Sequence, residues 1–288
     1  MTSKSASKIT TTTLVCLSAT LGAGSALAQS ATPAQALLDN NWVFNLGAFV
    51  VGTDLKASLN GQSTTNPEID FDETLGKADD TTRARGDVLW RINPVHHLRF
   101  SYFNNTIERS KVIDRDVTWG DYTFKADGRV DSRHEMEVYE LAYEYAFMKQ
   151  PTYEVSAIIG LHYTDTTLQL SGNATLTLPD GSTTTAEPTV RKNSVAAPLP
   201  VIGLRGAWVV SPQWLLEASG QFFKLNYDGI DGNWSDLRAS ATWMFSRNFG
   251  LGLAYNRFTM RIDAEKNNFN GNLKTGYGGL QAFLTGTF

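Results

Sequence analysis

The residues best suited to chemistry are charged side chains that recur at alternate positions inside otherwise apolar stretches. In the segment from 81 to 92, Arg83, Arg85, Asp87 and Arg91 have odd numbers, and the residues between them are mostly small or apolar. A β-strand turns successive side chains to opposite faces, so this spacing predicts one charged face and one apolar face. The charges of such strands gather on a single side of a sheet.

The same alternation elsewhere predicts one shared interior for thirteen polar residues, six cations, six anions and a histidine. They are Arg83, Arg85, Asp87, Arg91, Arg99, Glu140, Glu144, Glu154, His162, Arg205, Glu217, Asp236 and Arg238. An isolated buried ion costs several kcal/mol or more, so equal numbers of opposite charges indicate mutual neutralisation. We expect a narrow lumen crossed by ion pairs. A structural plug is the favoured interpretation, and a gated ion path is the alternative.

Catalytic constellations are sparse. A hydrolytic serine needs a histidine base and a group that orients it, and no serine motif accompanies the four histidines. His96 and His97 fall at a predicted tight turn. Three loose combinations remain: Asp79-Asp80, Asp131 with His134, and His162 with Asp165. Loop aspartates usually form turns or stay solvated. The chain is therefore predicted not to be an enzyme.

Cofactors and nucleic acid are not expected. No His-x-x-x-His or calcium-loop spacing occurs, and Cys16 is the single cysteine. The formal charge of the chain is −4, and the sequence has no basic cluster that would suit a nucleic acid. We predict no metal and no cofactor.

The first residues have the layout of an export signal. Lys4 and Lys8 precede an apolar stretch, and Ala26-Leu27-Ala28 forms a small-x-small cleavage site. The stretch is too short to span a bilayer as a helix. We predict a cleaved signal peptide at 1–28, a periplasmic N-terminal segment at 29–41 and a membrane domain at 42–288.

Ten alternating segments follow, joined by long and tight connections in turn. They are predicted at 42–55, 81–92, 96–109, 135–147, 153–166, 197–210, 213–227, 234–245, 248–262 and 273–288. The main long connections are predicted at 56–80, 110–133 and 167–196.

Outer-membrane barrels have even strand numbers with short turns on one side and long loops on the other. The pattern predicts an all-β fold, a closed antiparallel transmembrane up-and-down β-barrel of about ten strands, with eight or twelve as alternatives. The ninth segment fits worst, because Arg257 falls on its apolar face; a bulge or an early strand end would explain it.

Aromatic residues collect near the predicted tight turns. Nine of them are expected at one height: Trp42, Trp90, Phe147, Tyr153, Trp208, Trp214, Trp243, Phe249 and Phe288. Amphipathic rings favour the boundary between lipid headgroups and hydrocarbon. This set predicts an aromatic girdle.

The signal "SALAQ" and the last strand "LQAFLTGTF" resemble those of Gram-negative outer-membrane β-barrel proteins. In that class the final strand is an assembly signal, here Leu280, Ala282, Leu284, Gly286 and Phe288. Gly286 departs from the pattern, since the class usually has a larger residue there. The membrane domain of outer membrane protein A and the ten-stranded barrels are the nearest comparisons, whereas the motifs of the omptin proteases are not reproduced. The resemblance implies the cell outer membrane, contact with its lipid and lipopolysaccharide, and the barrel-assembly machinery as a partner.

Two functions from different classes remain open. The barrel is expected to be a small porin-like channel for ions or solutes, or a structural membrane protein. The alternative is a surface protein that uses its loops for adhesion or interaction, and a protease or lipid-modifying enzyme is the less favoured alternative.

Overall fold

The computed structural model describes residues 31–61, 65–227, 229–266 and 269–288, and within the strands it leaves the side chains of 186–189, 195–197, 225, 227, 230, 266 and 269 undescribed. The predicted signal peptide lies outside the described residues. Ala31–Phe288 forms one compact unit. Among the described residues no helix is long and apolar enough to cross a membrane.

The unit contains two short helices and thirteen strands within the described ranges. In chain order they are α1 (Pro33–Asp39), β1 (Trp42–Leu59), β2 (Ile69–Asp70), α2 (Phe71–Leu75), β3 (Thr81–Arg91), β4 (His96–Val112), β5 (Val117–Trp119), β6 (Tyr122–Phe124), β7 (Arg129–Gln150), β8 (Tyr153–Thr177), β9 (Thr183–Ser211), β10 (Trp214–Tyr227), β11 (Ile230–Met244), β12 (Phe249–Lys266) and β13 (Phe269–Thr287).

Ten long strands of the described chain close into a ring. Antiparallel pairing runs β1-β3-β4-β7-β8-β9-β10-β11-β12-β13 and returns to β1. At the seam, Trp42 N donates to Phe288 O at 2.9 Å and Phe288 N to Trp42 O at 3.0 Å. The expected closed antiparallel up-and-down barrel is confirmed. Closure leaves no long unpaired edge in this ring, which a sheet in hydrocarbon requires.

The outward faces carry a continuous apolar band. Along β8, Ile159, Leu161 and Tyr163 are exposed, while the residues between them are less exposed or point to the interior. Exposed aliphatic side chains recur on the other strands: Leu46, Val50, Leu141, Leu204, Leu237, Leu253, Leu280 and Leu284. An apolar surface of this extent is stable in contact with lipid, whereas contact with water would be unfavourable.

Two rows of aromatic rings bound the band. Near the tight turns, Trp42 pairs with Trp90, and their ring centroids are 5.4 Å apart. The other predicted girdle residues lie at the same end of their strands: Phe147, Tyr153, Trp208, Trp214, Trp243, Phe249 and Phe288. At the far side of the band, Tyr102 pairs with Tyr139 and Tyr139 with Tyr163. This tyrosine row was not predicted.

The height of the band matches a bilayer. Tyr153 and Tyr163 are ten positions apart on β8, which is about 33 Å along a strand. A tilt of roughly 40° reduces this to about 25 Å, the height of the apolar band in outer-membrane barrels. We refer to the residues between the two aromatic rows as the membrane level.

Beyond the tyrosine row, the strands continue where long loops were predicted. β8 extends to Thr177 and β9 begins at Thr183, so most of 167–196 is a hairpin rather than a loop. Threonine, frequent here, favours extended structure, and pairing with β7 and β9 overrides the polar composition. The stretches 56–80 and 110–133 likewise contain α2, part of β1 and the small strands β2, β5 and β6.

The ninth predicted segment is regular. β12 keeps continuous register with both neighbours through Arg257 and continues to Lys266. Both expected explanations, a bulge and an early strand end, are therefore wrong for this strand. The Arg257 side chain is exposed and lies 3.4 Å from Asp54. The apolar stretch ends at Tyr255, and Arg257 begins the polar surface above it.

Candidate functional site

Arg205 is the centre of a buried ionic layer at the membrane level. Its side chain is 2% exposed, and it bonds carboxylates from three strands. Nε donates to Glu144 at 2.8 Å, Nη1 donates to Glu217 at 2.8 Å, and Nη2 donates to Glu154. Arginine suits this position because its planar fork presents several donors in fixed directions. One cation thereby ties β7, β8 and β10 to β9.

Glu144 and Glu154 extend the layer across the barrel. Glu144 also accepts from Arg99 Nε at 2.6 Å, and Arg99 Nη1 lies 3.2 Å from Asp87. Glu154 has Arg91 at 3.9 Å and Lys149 at 3.6 Å. Its carboxylate also lies 3.8 Å from an imidazole nitrogen of His97, which the sequence had placed at a tight turn.

A second polar layer lies farther from the tight turns and contains more amides. Glu140 accepts from Ser101 at 2.9 Å and Gln221 at 2.7 Å. Asn256 bridges two predicted ions, because its amide donates to Asp236 and its oxygen accepts from Arg238, each at 2.9 Å. Amides at these positions carried no recognisable sequence signal, because asparagine and glutamine are common in polar strand faces.

Six predicted lumen residues have no ion-pair contact within the described part of the chain. Glu140, Asp236 and Arg238 have the amide and hydroxyl contacts given above. The other three are Arg83, Arg85 and His162. Arg83 donates to Asn105 and Thr106 near the outer side of the lumen. Arg85 lies over the rings of Phe49 and Phe103, with centroids 5.7 and 6.0 Å from its guanidinium carbon.

His162 is the third, and it belongs to an aromatic cluster. Its ring centroid is 4.6 Å from that of Trp234 and 5.7 Å from that of Phe258. Its Nδ1 contacts Thr164 at 3.2 Å. His162 is buried on the inward face, and its neighbours on other strands are aromatic rings rather than ions.

We refer to the ionic layer around Arg205 and the second polar layer together as the ionic layers. Little free volume remains inside them. Two cavities of about 30 and 40 Å³ lie there, and both are lined by Asp87, Arg99, Glu217 and Arg238. A water molecule needs about 10–15 Å³ of such cavity volume. Each cavity has room for about two or three waters.

Helix α1 fills the tight-turn end of the lumen. Thr32 caps it reciprocally with Gln35, and Pro33 occupies the first turn, where its missing N–H costs nothing. Leu37 and Leu38 pack with inward apolar residues of the barrel: Val43, Leu89, Ala207, Leu215 and Met244.

Polar contacts tether α1 to the wall. Lys149 Nζ donates to Leu38 O at 2.7 Å, and Arg91 Nη1 donates to Asn40 O at 3.1 Å. The ionic layer and the helix therefore share two cations. This helix lies in the segment predicted at 29–41, whose sequence gave no sign that it enters the barrel.

An aromatic layer closes the lumen on the other side of the ionic layers. Tyr277 stacks on Phe258 with centroids 4.8 Å apart and contacts Phe103 at 4.9 Å and Phe49 at 6.0 Å. Beyond it, inward side chains of the outer half form a large apolar core. Sequence reasoning missed this core because it treated the interior as uniformly polar.

Connections from two loops complete the core at the mouth. Phe71 of α2 and Trp119 of β5 are buried, with ring centroids 6.2 Å apart. Trp119 Nε1 donates to Asn193 at 3.0 Å. Arg109 holds α2 through Asp72 at 2.6 Å. We call α2 together with β5 and β6 the lid.

In the two candidate combinations that contain a histidine, the histidine and the aspartate are not brought together. Residues three apart in a strand face opposite ways, and in this structure His134 and His162 point inward while Asp131 and Asp165 point outward. His134 contacts Thr166 at 2.9 Å, and burial lowers its pKa to about 4. Within the described ranges, no group of three or more histidine, cysteine, aspartate or glutamate side chains is arranged to hold a metal.

Comparisons with known proteins show a likeness in fold. No protein-family model matches the chain, and no curated protein matches it either. Among solved structures, the outer membrane protease OmpT from Escherichia coli is similar with a TM-score of 0.57 at 13% identity, covering 86% of this chain and 97% of that one.

Two further structures are more distant. The toluene transporter TbuX of Ralstonia pickettii has a TM-score of 0.39 at 12% identity, covering 89% of this chain and 92% of its own. Ail, the attachment invasion locus protein of Yersinia pestis, has a TM-score of 0.29 at 8% identity, covering 86% and 99%. Of these three likenesses, the one to OmpT is strong enough to indicate a shared architecture. With its closed antiparallel ring and its outward apolar band, the chain is a β-barrel protein of the outer-membrane type.

Proposed function

We propose that the protein is a closed structural barrel of the outer membrane, and that it does not conduct ions in its resting state. The observation that carries the proposal is that three successive structures fill the lumen. The described residues fill it with α1 at the tight-turn end, ionic layers in the middle, and an aromatic layer with an apolar core beyond. Permeating ions would have to displace all three, and the two cavities in the ionic layers are small, at about 30 and 40 Å³.

The charges of the ionic layers support a structural role. Arg205 is fully engaged by carboxylates, and arginine cannot be deprotonated to release them. Breaking such a buried pair costs about 3–5 kcal/mol. These layers are therefore suited to hold strands in register, whereas a permeation path needs sites that ions leave readily.

Single-channel recording of refolded protein in planar bilayers tests the proposal. Silence across the accessible voltage range is expected for the unmodified protein. Glu144→Gln, which weakens the ionic layer and leaves α1 and the aromatic layer in place, is expected to stay silent as well. Steady, ion-selective openings of the unmodified protein would reject the structural assignment and favour the small porin-like channel.

A second candidate function, surface interaction, is favoured by the extent of the strands above the membrane level. β8 continues 14 residues past Tyr163, to Thr177. The apolar core and the lid brace this extension from inside. A braced sheet of this kind presents fixed side chains to a partner, such as the exposed Val112 and Val190. Cell-surface binding that is lost when 178–182 is replaced by a two-residue turn would support this function.

The barrel is proposed to be non-enzymatic. The separation of the candidate histidines and aspartates onto opposite faces supports this proposal. Peptide or lipid turnover by purified protein that is abolished in His162→Ala would contradict it.

A further inference from the structure

One side of β9 is not paired with a strand over much of its length in the described part of the chain. β9 begins at Thr183, but its pairing with β10 runs only from Ser211 to Ile202. On its other side, β8 pairs with β9 as far as Thr183. A strand edge of this kind presents a row of unpaired backbone N–H and C=O groups. The part of β9 beyond Ile202 is therefore open to a further strand.

The register shows which residues direct their backbone groups to the open side. Val209 N donates to Thr152 O at the β8 side of β9, and the pairing with β8 has no register shift over 189–208. Backbone groups of successive residues in a strand alternate in direction, so even-numbered residues direct theirs away from β8. Four consecutive donors and acceptors, which we call the open edge, belong to Val190, Lys192, Ser194 and Ala196.

Two prolines end this row on the membrane side. Pro198 and Pro200 also have even numbers, and proline has no N–H to donate. β9 cannot donate to β10 at either position, which explains why their pairing stops at Ile202. Proline also prevents a further strand from pairing there. The open edge, by contrast, keeps every donor.

The open edge lies outside the membrane level. Pro198 is the partner of Tyr163 in the tyrosine row, and Ala196 and Val190 are two and eight residues beyond Pro198. At about 3.3 Å per residue and a tilt near 40°, the open edge covers heights of about 5 to 20 Å above that row. A partner in the aqueous phase can reach it there.

Contacts with the lid hold the open edge in place. Arg191 lies over the ring of Tyr122, with its guanidinium carbon 3.5 Å from the ring centroid. Asn193 accepts from Trp119 Nε1 at 3.0 Å. Both residues alternate with members of the open edge and face the interior. A strand that is already fixed in its extended form loses little conformational entropy when a partner pairs with it.

Charges around the open edge favour an acidic partner. Lys192 is exposed, and so is Lys224, two residues beyond the last pairing of β10 with β9. Neither lysine has an ion-pair partner among the described residues, and the neighbour of Lys192 on β8 is the neutral Gln169. Asp165 is the partner of Ala196. A carboxylate therefore suits the position opposite Lys192 and not the position opposite Ala196.

We propose that the open edge binds an extended acidic segment of another protein by strand addition. The segment pairs antiparallel with β9, with an acidic residue opposite Lys192 and uncharged residues opposite Ser194 and Ala196. A second copy in the same membrane is a poor partner, because its β9 runs in the same direction and antiparallel pairs are the more stable kind. The proposal rests on the second candidate function, surface interaction, and gives it a partner chemistry.

The test measures binding of fluorescent peptides to full-length mature protein in detergent by anisotropy. The probe is a threonine-rich peptide of about seven residues with blocked ends, long enough for a strand, and with glutamate at the position opposite Lys192. A second probe has lysine at that position and is expected to bind about five-fold more weakly. A third has N-methyl groups on the residues that pair with the open edge, and its binding is expected to fall about ten-fold or more.

Variants of β9 test the same contacts from the protein side. Ser194→Pro removes one donor in the way that Pro198 and Pro200 do, and Ser194→Ala is the matched control that keeps the N–H. The proline variant is expected to bind the glutamate probe about ten-fold more weakly, and the alanine variant is expected to bind it unchanged. Lys192→Glu is expected to reverse the preference between the glutamate and lysine probes. Heat-modifiability gels check that each variant is folded.

Equal binding of the methylated and unmethylated probes, or no binding of any probe, would overturn the proposal. This comparison uses the unmodified protein, so it does not depend on the folding of Ser194→Pro. Equal binding by the folded proline and alanine variants would overturn it as well. Dimers that form without probe and are lost in Ser194→Pro would reassign the open edge to a second copy. Cell-surface binding that is retained in Ser194→Pro would leave surface interaction standing and reject the open edge as its site.

Discussion

Replacing Arg205 by methionine tests whether ion pairs hold the lumen together. The substitution keeps a long side chain but removes three carboxylate contacts at once. Glu144 would retain Arg99 at 2.6 Å, and Glu154 would retain Arg91 and Lys149 at 3.9 and 3.6 Å.

The expected cost follows from what loses its partner. Glu217 has no other ion pair among the described residues, so it becomes an unpaired carboxylate in a narrow lumen. Removing one member of a buried pair costs about 3–5 kcal/mol. The Glu154 contacts that remain exceed 3.5 Å and offset little of this. We expect Arg205→Met to lower the free energy of unfolding by about 3–5 kcal/mol.

Reversible urea unfolding in lipid bilayers, followed by tryptophan fluorescence, measures this change. Arg133→Met is the matched control, because it also removes an arginine paired to two carboxylates, but at an exposed site where at most about 1 kcal/mol is expected. Adding Glu217→Leu to Arg205→Met is expected to recover part of the loss. A loss below about 1 kcal/mol for Arg205→Met would refute the account of the ionic layers.

Three further predictions concern the lid, the outer core and the seam. Trp119→Ala leaves a cavity under the lid and is expected to destabilise the lid by about 3–5 kcal/mol. Limited proteolysis should then cut the lid while the membrane level stays protected. A lid that remains fully protected from the protease would contradict the prediction. Burial lowers the pKa of His134 to about 4 from 6.5, so the unfolded state takes up the proton first as the pH drops. The free energy of unfolding should therefore fall by up to roughly 3 kcal/mol between about pH 6.5 and pH 4. Urea midpoints measured across this range should show the slope, and an unchanged slope in His134→Gln would contradict the prediction. Gly47→Ala would place its Cβ 2.6 Å from Cα of Phe283, at the seam, and should reduce the yield of folded barrel on heat-modifiability gels. Gly86→Ala is the control and should fold normally, because a Cβ there would lie at an ordinary contact distance of 3.5 Å from its nearest neighbours. Equal yields of the two variants would show that the seam tolerates a side chain.

Alternation along single strands was enough to predict the barrel, because a period of two depends on local spacing alone. Arg205 and Glu154, which this spacing predicts inside the barrel, are buried in the structure. Which interior residues touch depends on register between strands, and that is set by the whole ring. His162 is therefore buried inside the barrel and packs against Trp234, a neighbour that no local pattern could identify.

The parts that were missed share a physical cause. The outer core consists of inward residues beyond the membrane level, where both faces can be buried or wet and the dyad pattern loses its contrast. Trp119 and Phe71 lie in connections whose polar composition resembles that of solvated loops. Helix α1 has a recognisable capping box, but its burial depends on a cavity that exists only after the barrel has closed.

The central claim is that lipid surrounds this barrel and that its polar side chains face the axis. Nitroxide labels placed one at a time on introduced cysteines from 236 to 243 of β11, in reconstituted protein without Cys16, measure it most directly through collision with oxygen. The account predicts a period of two, with maxima at Leu237, Ala239, Ala241 and Trp243. A flat profile, or maxima at Asp236, Arg238, Ser240 and Thr242, would contradict it.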